Sequence, residues 1–242
     1  MLGLPAVSNT MAAAGSLYCP VLMYHYISDP PEDADRYRRD LSVSPAQFAA
    51  HLDTLLEQGF TAISPALLHT ALAEGADLLP DKPVILTFDD GYADAYASAF
   101  PLLAERGMTG TFFIVSGFMD QPGYLSWAQA GEMLGAGMAI ESHSATHPDL
   151  TTLGQDALAV EVEESAAAIE RTLGVRPQTF CYPLGRWSRR VVAALQNSGY
   201  LGAFTTRDGT LHTTARRYQM PRLRVRGRYT ARTIDWLVNR RV

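Results

Sequence analysis

The sequence predicts an α/β domain in which parallel strands curl into a barrel with helices outside. Two observations carry this. Short β-rich runs alternate with helical stretches of roughly 10 to 20 residues about seven times along the chain, the pattern of βα units. A length of 242 residues with 47% hydrophobic content suffices for one large core, and no composition break divides it. Seven or eight units in this length favour a barrel over a doubly wound sheet.

The elements follow in order. "MLGLPAVSNTMAAAGS" has no positive leading region, and Pro5 and "SNT" interrupt its apolar character. Residues 1–18 are therefore expected to be a flexible tail and residues 19–242 the domain. The corresponding location is cytoplasmic, with the periplasm or cell envelope as the alternative if the N-terminus is incomplete. "PVLMYHYI" (20–27) reads as the first strand. "SPAQFAAHLDTLLEQG" (44–59) is a helix, with Ser44 as N-cap, Pro45 at its first position and Gly59 past its end. "FTAIS" and "PALLHTALAEG" repeat the unit, as do "PVILTF" with "ADAYASAFPLLAERG" and "GTFFIVS" with "SWAQAGEMLGAG". "MAIESHS" leads into a long helix across "LGQDALAVEVEESAAAIERTLG". "TFCYPLG", "SRRVVAALQNSG" and "LGAFTT" follow, and "PRLRVRG" adds a short strand before the last helix, "TARTIDWLVNRR".

Composition narrows the function classes. Cys19 and Cys181 make no disulfide framework, and no run approaches the roughly 20 apolar residues that span a bilayer. Residues 210–242 carry nine Arg and one acid, a net +8 that leaves −13 for the remainder. The plainer reading is an arginine-rich closing segment paired with an acidic body. The alternative is a basic face for peripheral contact with a membrane surface or anionic substrate. The acidic body and the absence of a recognised motif argue against nucleic-acid binding.

In barrels, chemistry gathers where strands end at their C-terminal side. His25 ends the first predicted strand, Asp89 and Asp90 end "PVILTF", and His143 with His147 follow "MAIES". Half of the six histidines thus lie at one rim, whereas His51 and His69 fall within helices as surface or packing residues. Two adjacent carboxylates repel unless something positive sits beside them. The pair is then either a solvated loop or faces a cation, and one Asp with two His offers a candidate three-ligand metal site with open positions that would supply that charge.

"TFDDG", "HSATH" and "YPLG", in this order at strand ends, resemble the polysaccharide deacetylases, the NodB-homology group of carbohydrate esterases. "PVLMYHYIS" is similar to the branch containing biofilm poly-N-acetylglucosamine deacetylases, and the resemblance runs from about residue 20 to 230. It implies a distorted (β/α)7 barrel that binds one divalent ion, zinc first, with cobalt, nickel or manganese as alternatives. The implied activity is hydrolysis of N-acetyl groups, linear non-peptide amides, on amino-sugar poly- or oligosaccharides. Asp90, His143 and His147 would hold the metal and Asp89 would be the general base, with a supporting or co-ligand role as its alternative. His25 would be the general acid, near its ordinary pKa of about 6.5. Tyr182 and the backbone amide of Leu184 would face the substrate or its oxyanion, with packing as the other reading of Tyr182.

Two departures stand out. Many relatives start the third motif with an Arg that pairs with the catalytic Asp, and Cys181 stands there, leaving Asp89 without that partner. Many also use a late histidine as the acid, and the late one here, His212, lies in the polar loop "DGTLHTTARR" after the seventh strand. Tyr124, Trp127 and Trp187 are candidates for stacking on sugars, although Trp127 could equally be core, and Trp236 reads as packing. Two other classes stay open: an inactive sugar-binding barrel, and another amide hydrolase on the same barrel.

Overall fold

The alternation folds as βα units in the computed structural model, which describes residues 15–242. Its strands are β1 (Ser16–Tyr18), β2 (Val21–Tyr24), β3 (Thr61–Ala62), β4 (Pro83–Phe88), β5 (Thr111–Ile114), β6 (Ala139–Ser142), β7 (Thr179–Cys181), β8 (Gly202–Phe204), β9 (Leu211–Thr213) and β10 (Leu223–Arg224). β10, β2, β4, β5, β6, β7 and β8 lie side by side, and β3 adds to β4. All pairings in this sheet are parallel. Every residue of β2, β4 and β5 is buried, as expected for strands covered on both faces.

The sheet curls until its two edges meet through one segment rather than through paired strands. Met220 bonds to the β8 side through both backbone groups: its carbonyl accepts from Thr205 N–H (2.9 Å) and its N–H donates to Ala203 O (2.9 Å). Three residues after Met220 the same segment becomes β10 and pairs with β2. Arg222 lies between these pairings, and its side chain is buried.

Local sequence explains the helices. Ser44 caps Pro45–Glu57 and Ser126 caps Trp127–Gly135, each in a reciprocal capping box with a Gln three residues on. The long helix runs from Gln155 to Leu173, with a π-helical stretch at Val160–Glu164 in its middle. A short helix at Arg36–Leu41, capped by Asp35, was not anticipated.

Several expectations change. The predicted tail overlaps β1, which pairs antiparallel with β9 and so belongs to the folded body; residues 1–14 lie outside the described residues. His212 sits on β9, not in a polar loop; it is buried, and its Nε2 donates to Cys19 O at 2.8 Å. Trp236 is not packing: it is 62% exposed, with Arg240 over its ring. Trp127 packs against the core. His51 and His69 are packing residues, bonded to Tyr24 and Tyr229 and to Thr179 respectively. Several C-terminal arginines pair with acids, Arg222 with Asp89, Arg226 and Arg228 with Asp40, and Arg240 with Asp208, which accords with the plainer charge reading. No helix among the described residues is long and apolar enough to cross a membrane.

Phe88 anchors the strand that carries the carboxylates. It stacks between Tyr24 (5.5 Å) and Phe112 (4.6 Å), with Phe48 edge-on at 5.6 Å. Phe88→Ala is expected to cost about 3–5 kcal/mol, read as a lower denaturation midpoint in urea. A loss below about 1 kcal/mol would show that this cluster does not hold β4.

Candidate active site

β4 stops at Phe88, and the next three residues set the site. Asp89 is still extended enough for its N–H to donate to Tyr24 O (3.0 Å). Asp90 has φ 76° and Gly91 φ 73°, so the chain turns left-handed at once. A Cβ at Gly91 would lie 3.3–3.4 Å from Ile114, so the turn fits a glycine in both conformation and space. The two adjacent carboxylates consequently have different partners.

Asp89 is held by Arg222. Nη1 donates to Oδ1 and Nη2 to Oδ2, both at 2.7 Å, a two-point ion pair inside the barrel. The remaining donors of the guanidinium are also used, by Thr205 O (3.1 Å), Thr87 Oγ1 (3.0 Å) and Cys181 Sγ (3.1 Å). Burial pushes the Asp89 pKa up, but Arg222, with His25 and His143, outweighs it, and the carboxyl sits below its ordinary value. The expectation that Asp89 lacks a cationic partner is therefore corrected. The Arg absent at position 181 is replaced by one arriving from the seam, and the smaller Cys181 packs against it.

Asp90 faces the histidines. Its Oδ1 lies 3.3 Å from His143 Nε2 and 3.4 Å from His147 Nε2. These separations are long for charge-assisted hydrogen bonds, which run about 2.7–2.9 Å. They match the roughly 3.3 Å edge of a tetrahedron whose metal–ligand bonds are about 2.0–2.1 Å. His143 Nδ1 contacts Cys181 O at 2.7 Å; a carbonyl only accepts, so Nδ1 carries a proton. Burial lowers the His143 pKa, but the charges and hydrogen bonds of Cys181, Asp90 and Asp89 outweigh it and raise it well above its ordinary value. In the neutral ring that a bound ion would require, the lone pair is on Nε2, towards Asp90. Burial and the neighbouring His143 lower the His147 pKa, favouring its neutral, ligating form. Burial raises the Asp90 pKa, but the neighbouring His143, His25 and His147 outweigh it and hold the carboxyl well down. This donor set fits a divalent ion with an open position. Asp89, His143 and Cys181 also converge. Arg222 already engages Asp89, and burial raises the Cys181 pKa, so that cluster is an ion pair and not a second cation site.

His25 follows β2 on the same rim, with Nε2 4.0 Å from Asp89 Oδ2. Its Nδ1 is buried with no hydrogen-bond partner. Burial lowers its pKa against the pull of Asp89 and Asp90, so the expectation of an ordinary value is corrected. His212 bonds to Cys19, which precedes β2, while His25 follows it. Six residues of extended chain, about 20 Å, separate those two ends. The structure thus brings Asp89, Asp90, His143, His147 and His25 together and leaves His212 on the far side.

Tyr182 is corrected from a substrate contact to packing. Its hydroxyl donates to Tyr218 O (2.9 Å), its amide donates to Phe204 O (3.1 Å), and only 1% of it is exposed. Leu184 is exposed and has φ 60°. Among the described non-glycine residues, five have positive φ, and Asp90, Ser144, His147 and Leu184 all lie in the segments that follow β4, β6 and β7. Such conformations cost about 1–3 kcal/mol each and cluster at functional sites.

Arg222 is the residue that sequence reasoning missed. A signal existed: in "PRLRVRG" Arg222, Arg224 and Arg226 alternate with apolar residues, so a strand there that closes a barrel turns one face, either the arginines or the apolar residues, to the interior.

Comparison with known proteins agrees with this geometry. Residues 77–203 match the polysaccharide deacetylase family. The chain is 30% identical over 207 residues to YxkH of Bacillus subtilis strain 168, covering 85% of this chain and 71% of that one. It is 31% identical over 101 residues to the poly-beta-1,6-N-acetyl-D-glucosamine N-deacetylase of Escherichia coli K12, a match to 42% of this chain and 14% of that protein. The Streptococcus pyogenes deacetylase PplD, solved in complex with acetate, superposes with a TM-score of 0.85 at 25% identity, covering 92% of this chain and 99% of that one. With its curled parallel sheet, its "TFDDG" and "HSATH" strand ends and these relatives, the chain belongs to the polysaccharide deacetylase family.

Proposed function

We propose that the protein is a divalent-metal hydrolase that removes N-acetyl groups from amino-sugar poly- or oligosaccharides of the N-acetylglucosamine type. The observation that carries this reading is the Asp90–His143–His147 triangle beside an Arg-held Asp89. The substrate class draws support from the Escherichia coli relative named for a poly-N-acetylglucosamine substrate.

Asp90, His143 and His147 would hold the ion, zinc by donor type, with cobalt, nickel or manganese as alternatives. When bound, such an ion supplies a Lewis acid that makes water a stronger nucleophile and draws charge from the acyl oxygen. The protein's own groups do the rest. Asp89 accepts the proton of the attacking water; Arg222 holds both of its oxygens in place and keeps it ionised. The tetrahedral stage places negative charge on the acyl oxygen, and the backbone N–H of Leu184 is the protein donor assigned to it. His25, 4.0 Å from Asp89, returns a proton to the departing amine nitrogen, so base and acid act as one proton-handling pair.

The metal assignment predicts that purified protein holds about one divalent ion per chain and that His147→Ala loses it, since two remaining ligands hold the cation poorly against water. Metal analysis reads this directly, and full occupancy in the variant would remove the site. Acetate release from N-acetylglucosamine oligomers tests the activity on the same samples; a loaded protein that releases none would point to another amide.

Asp89→Asn should keep the ion while activity falls by roughly 10²- to 10⁴-fold. The substitution also leaves Arg222 buried without its counter-charge, so the variant should lose stability by about 3–5 kcal/mol. Metal loss equal to that of His147→Ala would instead make Asp89 a ligand.

His25→Ala should lower turnover on acetamido sugars by roughly 10²- to 10⁴-fold. The defect should shrink on aryl acetates, whose leaving group departs without a proton. An equal loss on both substrates would mark His25 as structural. His212→Ala should stay within a few-fold in turnover per folded molecule, because His212 lies at the far end of β2.

A further inference from the structure

The metal-binding reading depends on His147 standing where Asp90 and His143 need it, and nothing in the local chain makes that easy. His147 lies beyond β6 in a turn whose residues Ser144 and His147 both have left-handed backbones, with φ 70° and 61°. A short polar loop in that conformation has many other shapes open to it.

The missing constraint comes from another element. Glu161 is buried, and both of its carboxylate oxygens are turned onto this loop. Oε2 accepts from the N–H groups of Ala145 (2.9 Å) and Thr146 (2.8 Å), and Oε1 accepts from Thr146 Oγ1 (2.5 Å). All three donors belong to the two residues immediately before His147. Among the described residues no salt bridge reaches Glu161. Its neighbour Glu163 pairs ordinarily with Arg176 at the surface. A carboxylate buried against two backbone N–H groups and a hydroxyl, with no cation, is a costly way to hold an arbitrary loop, because any surface side chain would serve there.

Glu161 occupies the π-helical stretch Val160–Glu164, inside a helix that is α-helical on both sides. Such a widened turn inserts a residue into the helical repeat and re-aims the side chains around it, and it recurs at functional sites. The loop is gripped from its other side by the segment after β5. Ser116 N–H donates to Ser144 O (3.2 Å) and Gly117 N–H to Ala145 O (2.8 Å). A Cβ at Gly117 would lie 2.6 Å from Ala145 O, so this close approach requires glycine. His147 N–H closes the turn on Ser144 Oγ at 2.9 Å.

We propose that Glu161 is a positioning residue for the metal site: its carboxylate fixes the 144–147 backbone so that His147 is presented, already in place, to Asp90 and His143. This rests on the metal-dependent reading above. Outer groups that orient a ligand in this way typically change metal affinity by about 10- to 100-fold when removed. The role differs from that of Asp89 and Arg222, because Glu161 touches neither the reacting atoms nor the base.

The test is zinc affinity, measured on metal-stripped protein by competition with a chromophoric chelator, with the thermal midpoint of the stripped protein recorded in parallel. Glu161→Ala is expected to weaken zinc binding about 10- to 100-fold. Glu161→Gln keeps one oxygen for the two N–H groups and can donate to the Thr146 hydroxyl, so it should recover most of that loss and fall between Ala and parent. Acetate release at saturating zinc should stay within several-fold of the parent for both. A variant with lowered midpoint but parental zinc affinity would make Glu161 a stability residue and overturn the proposal. If Glu161→Ala does not fold, Glu161→Gln decides: weakening of about threefold or more supports the clamp, and parental affinity overturns it. Parent protein that binds no zinc would overturn the metal reading itself, a result distinct from parent binding with unaffected variants.

Discussion

Two carboxylates on consecutive residues cannot share one environment, and that constraint organises the site. Asp89 and Asp90 leave the end of β4 in a left-handed turn, and each finds its own positive partner. Arg222 takes both oxygens of Asp89, while His143 and His147 converge on Oδ1 of Asp90. The separation divides the chemistry between the neighbours. An oxygen pair engaged by a guanidinium is unsuited to ligating an ion, and an oxygen midway between two imidazoles is unsuited to being a free base. Backbone conformation at one residue therefore gives two identical side chains different environments, which is the basis of the separate roles proposed for them.

The buried arginine ties this division to the fold. Arg222 lies in the segment through which the curled sheet closes, between the contact with β8 and the pairing of β10 with β2. Desolvating a guanidinium is expensive, and here each of its donors is met. Taking away Asp89 would leave the cation inside the barrel without a counter-charge. Closure of the sheet and ionisation of Asp89 thus rest on the same contact, and a change made to one is felt by the other.

The parts of this arrangement legible in sequence were those written contiguously. The strand–helix alternation, "TFDDG" and "HSATH" are each read along continuous chain, and the rule that strand ends carry chemistry was enough to group Asp89, Asp90, His143, His147 and His25. Arg222 was hidden because its partner lies 133 residues away, and because the resemblance directed attention to position 181. β1 and β9 were hidden from each other: each has three residues, too few for a periodic pattern, and each is a strand only because the other pairs with it. That same gap made the surroundings of His212 look like a polar loop. Trp236 misled differently, since apolar spacing in a helix does not say whether a neighbour exists to cover it.

The rim also shows why a sequence motif is only part of a site. Asp90, Ser144, His147 and Leu184 all stand in a conformation that L-residues avoid, and nothing in "HSATH" or "YPLG" compels it. What compels it is reach from elsewhere: Gly117 and Ser116 on one side of the histidine turn, the buried Glu161 on the other, and Gly91 allowing the carboxylate turn to lie against Ile114. The strain is distributed over turns whose anchors sit on packed strands and one helix, so folding stability is what sustains it. The ordering of these groups therefore rests on hydrogen bonds from packed elements and not on the turns themselves.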